Sequence, residues 1–158
     1  MSLCLDNKKE QSLTFIIRNL KENDFSNWKL LWSRYLEFYK TNVDDIVYHT
    51  TFKRLISKNN TSQKSFVADQ NNELIGLVHF IYHPHNWKVE DVCYLQDLFV
   101  APNIRGNGVG RALIEAVYLD SDQRKSPNVY WLTQDFNKQA RILYDNLATV
   151  TPFIKYTR

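Results

Sequence analysis

The sequence predicts a mixed α/β (α+β) fold in the order β-α-α-β-β-β-α-β-α-β, and three observations carry that expectation. Apolar residues switch along the chain between helical spacing and short strand-like runs. Two such runs, residues 65–69 and 74–82, are separated only by the turn-like Gln70–Asn71–Asn72–Glu73, so they form a hairpin. The β-α alternation is not uniform, which argues against a doubly wound parallel sheet.

Taken in order, residues 13–18 (LTFIIR) read as a short strand. Asp24 or Ser26 caps the helix that follows. There Trp28, Leu31, Trp32, Tyr35, Leu36 and Tyr39 recur at three- and four-residue spacing and make one broad apolar face. Asn42–Asp45 is a turn, and a second helix runs from about Ile46 to Ile56. The polar stretch 57–64 is a loop before the hairpin. Pro84 marks another loop, and residues 92–100 (VCYLQDLFV) form a strong strand. A glycine loop opens a helix over about 108–123. Residues 128–133 read as a strand, 137–147 as a helix and 149–157 as a last strand.

A chain of 158 residues with 44% hydrophobic and 23% charged residues fits one domain with its own core. That domain spans 13–158, preceded by a tail over 1–12. Net charge is +3, which suits an anionic ligand but is too small for a nucleic-acid surface. The two cysteines, Cys4 and Cys93, lie in unlike settings and suggest no disulfide framework. No run is apolar enough to span a membrane, and Met1–Gln11 lacks the apolar core of a signal peptide. The expectation is a cytoplasmic protein.

Only four glycines are present, and Gly106, Gly108 and Gly110 are three of them. Glycines this dense mark a backbone that approaches a ligand or takes positive φ. The loop follows a strand and opens a helix, where free N–H groups and the helix dipole favour an anion. Arg105 and Arg111 flank it. A dinucleotide fingerprint fails, because Arg111 stands where the third glycine belongs, and no Gly-Lys-Ser/Thr is present for a phosphate loop of the Walker type.

What remains, Arg105-Gly106-Asn107-Gly108-Val109-Gly110, resembles the acetyl-CoA loop of the GNAT superfamily of N-acetyltransferases. The resemblance implies a mostly antiparallel central sheet flanked by helices, with acetyl-CoA as cosubstrate. Residues 95–100 (LQDLFV) look like the family strand that splays from its neighbour, so that Leu98, Phe99 and Val100 meet the pantetheine arm. Asn137, Ala140, Arg141 and Tyr144 (NKQARILY) look like the second signature. Asn137 and Ala140 would contact pantetheine, Arg141 the phosphate end, and Tyr144 the sulfur. Asn137 and Tyr144 lie seven residues apart in sequence, so one helix face presents both. Within the superfamily, VYWLTQDFNKQARILYD resembles the histone-and-polyamine acetyltransferase subgroup, some of whose members acetylate D-amino acids. A homodimer is implied by the same resemblance.

Two positions depart from the family pattern. Gln96 stands where a glutamate often serves as general base, and Leu147-Ala148-Thr149 replaces Leu-Gly-Phe. Transfer to a lysine-like amine (pKa ~10.4) costs roughly 4–5 kcal/mol for deprotonation at neutral pH. Asp97, Glu90, Asp91 and a water held by Gln96 are the candidate bases. Tyr144 is the candidate acid toward the departing thiolate.

On the acceptor side, Trp32, Tyr35 and Tyr39 with Asp44 and Asp45 suggest a site for a small cationic amine. A peptide lysine, or a CoA-binding module without catalysis, are the other readings. His83-Pro84-His85 has too few donors for a metal, and no metal is expected. His49 and His79 read as ordinary positions.

Overall fold

The computed structural model describes residues 14–158. The tail over 1–12, Leu13 and Cys4 lie outside the described residues. Among the described residues, five strands form one sheet in chain order: β1 (Ile16–Asn19), β2 (Gln63–Gln70), β3 (Glu73–His83), β4 (Val92–Val100) and β5 (Val129–Tyr130). The first four run antiparallel, and β5 joins β4 in parallel. The α-helices among the described residues are α1 (Phe25–Phe38), α2 (Asp45–Ile56), α3 (Val109–Gln123) and α4 (Lys138–Tyr144). The mixed fold and the element order through α4 are those expected.

Each sheet face buries its own core. Trp28, Leu31 and Trp32 of α1 and Tyr48 and Phe52 of α2 pack on Val67, Leu77 and Phe99. Val109, Leu113, Ile114 and Val117 of α3 pack on Ala68, Val78, Phe80 and Leu95. Strand alternation explains the division, since neighbours such as Leu77 and Val78 point to opposite faces. The sheet is thus covered on both sides, and β3 and β4 are apolar over most of their length.

Asp24 does not cap α1 with its side chain. It is buried, accepts the Lys21 N–H at 2.7 Å and receives both terminal nitrogens of Arg18 at 2.7 and 2.9 Å. Arg18 also reaches Asp69 at 2.7 Å, so it ties β1 to β2 and to the turn before α1.

The last strand, expected over 149–157, is not formed. Residues 149–158 pair with no strand, and Val150, Phe153, Ile154 and Tyr156 stand exposed. A strand needs a partner edge, and β5 pairs at only two positions. Ala148 also lacks the freedom of a glycine to turn the chain sharply after α4.

Candidate active site

The glycine loop leaves β4 through Ala101 and a 3-10 turn, Pro102–Ile104. Gly106 and Gly108 take φ of +85° and +81°, where an L side chain would be strained, and a Cβ at either position would meet open space. Among the described residues, no turn or loop hydrogen bond takes the backbone N–H groups of residues 106–111. These amides open α3, a helix of 15 residues, so its dipole adds to them. Asn107 braces the loop from within by donating to the Ile104 carbonyl at 2.8 Å. Arg105 donates to the Val100 carbonyl at 3.1 Å and lies over the Phe99 ring. The loop therefore fits a pyrophosphate: donors are free, charge is near, and the backbone is bare.

Gly110 serves packing instead. A Cβ there would come within 3.2 Å of Leu143 on α4. This close approach brings α4 beside the loop. A cleft of about 450 Å3 opens between them. Leu98, Phe99 and Val100 of β4, Gly106, Gly108, Val109, Gly110 and Arg111, and Asn137, Ala140 and Tyr144 line it, together with Tyr35 and Phe38 of α1 and Tyr39 just after it. β5 leaves β4 after Tyr94, so among the described residues the outer edge of β4 from Leu95 onward carries no neighbouring strand.

Several expected residues stand elsewhere. Arg141 is on α4 but pairs with Asp135 at 2.6 Å. Asp44 and Asp45 are exposed at the start of α2, where Asp45 pairs with Lys29 and lies 3.4 Å from His49. They do not line the cleft. Trp32 is buried behind it and donates to Asp97 at 3.2 Å.

Gln96 and Asp97 are separated by a β-bulge. His79 lies opposite Asp97 but Phe80 lies opposite Leu95, which leaves Gln96 without a partner. Gln96 is exposed and absent from the cleft lining. Asp97 is buried and turned toward α1, on the same side as Tyr94. Without the bulge, period-2 alternation would put Asp97 on the face of Leu95, in the apolar core under α3.

Four tyrosines gather near this carboxylate and the cleft. Burial, then the charge of Asp97, raises Tyr35 far above the ordinary phenol range. The same two causes raise Tyr39 and Tyr94. Tyr144 packs edge-on against Trp131, and burial with a smaller effect of Tyr39 pushes it up to about 12. It is a neutral O–H donor at physiological pH. Cys93 is buried and pushed up to about 11, chiefly by burial, so it is no nucleophile. No metal-binding group of His, Cys, Asp or Glu occurs among the described residues, and no described helix is long and apolar enough to cross a membrane.

The sequence reads His79 as an ordinary strand position and Trp28 as part of an apolar face, but His79 bonds Asp97 and Trp28 bonds His79. Their signal was absent because partners across strands and helices have no sequence spacing in common.

Comparison with known proteins agrees with this geometry. The acetyltransferase (GNAT) family matches residues 26–148. The D-amino-acid N-acetyltransferase HPA3 of Saccharomyces cerevisiae is 35% identical over 144 residues, covering 90% of this chain and 89% of that one. The fold superposes on the ribosomal-protein-alanine N-acetyltransferase of Brucella melitensis with a TM-score of 0.78 at 18% identity, over 92% of this chain and 97% of that one. It superposes equally on AAC(6')-Iy bound to a CoA bisubstrate analogue, with a TM-score of 0.80 at 18% identity and the same coverage of 92% and 97%. The chain belongs to the GNAT family of acetyltransferases and is an N-acetyltransferase that draws its acetyl group from acetyl-CoA.

Proposed function

We propose that the enzyme acetylates the primary amine of a small cationic substrate, of the amino-acid or polyamine kind, by direct transfer. One observation carries this: a single cleft joins the free amides of the glycine loop to Tyr144 and to a tyrosine-lined end that has Asp97 behind it. Aromatic faces and a buried carboxylate suit an ammonium group. The likeness to the histone-and-polyamine subgroup, and to a D-amino-acid N-acetyltransferase, supports the same class of acceptor.

In this reading Gly106, Gly108, Val109 and Gly110 hold the pyrophosphate with their N–H groups, aided by Arg105 and Arg111. Leu98 to Val100 receive the pantetheine along the open edge of β4, and Asn137 and Ala140 flank it. Asp97 is the base, since the Gln96 amide cannot take up a proton and stands exposed outside the cleft lining. Tyr144 gives its proton to the departing sulfur, and the Leu98 N–H is the nearest candidate for the oxyanion. A homodimer belongs to the same reading, supported by the exposed apolar residues Phe136, Phe153 and Tyr156.

The test is incubation with acetyl-CoA and a panel of polyamines, L- and D-amino acids, aminoglycosides and a lysine-rich peptide, with products read by mass spectrometry. A small acetylated amine whose yield collapses in Tyr144→Phe is the expected result. Acetylation of the peptide alone would overturn the acceptor class. No product on any amine, with acetyl-CoA still bound, would overturn catalysis.

A further inference from the structure

His79 lies on β3, buried under α1, and no step above uses it. Both its ring nitrogens are engaged. Nε2 lies 2.8 Å from Trp28 Nε1, and Nδ1 lies 2.9 Å from Asp97 Oδ2. An indole N–H donates and never accepts. Nε2 must therefore turn its lone pair to Trp28, which leaves the ring proton on Nδ1, donated to Asp97. A proton on Nε2 would set two N–H groups against each other in a site where Trp28 is 0% exposed.

Asp97 is held unevenly. Its Oδ2 accepts from both His79 and Trp32. No closed hydrogen bond reaches its Oδ1 among the described residues, although the Tyr35 hydroxyl lies beside the carboxylate, and no buried side-chain oxygen there lacks a partner. Oδ1 is therefore not sealed in, and reaches accessible space. The groups facing the carboxylate are Tyr35 and Tyr39 from α1, Tyr94 from β4 and His79 from β3. No described lysine or arginine pairs with it.

We propose that His79 is the positioning residue of the base: Trp28 sets its Nδ1–H tautomer, and that N–H, with Trp32, pins Asp97 Oδ2 so that Oδ1 serves the cleft through Tyr35. The inference rests on the reading of Asp97 as base. The proton balance is closed. The acceptor ammonium gives one proton to the Tyr35 oxygen while Tyr35 gives its own to Oδ1. The amine is left neutral with its lone pair, Tyr35 is unchanged, and Asp97 carries the proton until it is released to solvent. His79 moves no proton. A phenol that resists ionisation, as Tyr35 does, suits a relay that is never a free phenolate.

Two measurements test it. Nitrogen NMR of the 15N-labelled wild-type protein at neutral pH reads the tautomer without any turnover. A proton on Nδ1 alone is expected; a proton on Nε2, or on both nitrogens, would overturn the proposal. Kinetics then compare His79→Leu with His79→Asn, whose amide N–H2 falls near the place of Nδ1. His79→Leu is expected to lower kcat about tenfold or more with the KM for acetyl-CoA unchanged, and His79→Asn to recover to within about threefold of wild type. If the leucine variant does not fold, His79→Gln, whose amide lies near Nε2 instead, takes its place with the same expected loss. Equal kcat in all variants, or equal loss in all, sinks the proposal. A wild type that acetylates no amine marks failure of the activity reading; an active wild type with an unimpaired leucine or glutamine variant marks failure of this inference alone.

Discussion

A phenol can protonate a leaving thiolate only while it still carries its proton, and burial pushes the Tyr144 pKa up to about 12. Replacing it with phenylalanine removes the proton and keeps the ring against Trp131. Tyr144→Phe should lower kcat about 10²-fold while the Kd for acetyl-CoA, measured by calorimetry, stays the same. Gly108→Ala should act the other way. At φ +81° a Cβ strains the backbone even though it meets no neighbour, at a cost of about 1 kcal/mol. Loss of acetyl-CoA affinity with little change in kcat at saturation is the expected pattern. Both residues were legible from sequence, because the loop and the α4 signature are local patterns. Asp97 was legible only as an acid beside Gln96. Its burial and its two indole and imidazole partners come from α1 and β3, which are 65 and 18 residues away in sequence.

At the scale of elements, the bulge in β4 decides which of two neighbouring residues, Gln96 or Asp97, is buried toward α1. It turns Asp97 toward α1 and leaves Gln96 in solvent. A run of apolar residues gives no sign of such a bulge, since every register reads alike. β3 shows how tightly the sheet meets α3: a Cβ on Gly76 would fall 3.1 Å from the Phe99 carbonyl and 3.1 Å from Val109. Gly76→Ala should therefore cost about 1–3 kcal/mol in urea unfolding and loosen the start of α3, where the glycine loop ends. Arg18 links three elements by pairing with Asp24 and Asp69, whose side chains are only 8% and 9% exposed. Arg18→Ala leaves two buried carboxylates without a cation, and a loss of about 3 kcal/mol is expected by the same measurement.

Across the whole molecule, the tyrosines make stability depend on alkaline pH. Tyr35, Tyr39, Tyr82, Tyr94 and Tyr144 are all raised above the ordinary 10.0, in each case chiefly by burial. A raised folded pKa means that the unfolded chain gives up its protons first. The stability is thus complete below about pH 10 and is lost as pH rises toward 12. A Tm that is flat to pH 9 or so and falls steeply above it checks this; a flat Tm through that range would show that the phenols are solvated. The sequence by itself determined the element order through α4, the glycine loop and the face of α4 that meets it, because each rests on local periodicity or a local motif. The tertiary structure alone decided the rest. It placed Asp44, Asp45 and Arg141 away from the cleft, left residues 149–157 without a partner strand, and set His79 between Trp28 and Asp97. Those outcomes depend on register and on contacts between distant segments, and neither leaves a periodic trace in the chain.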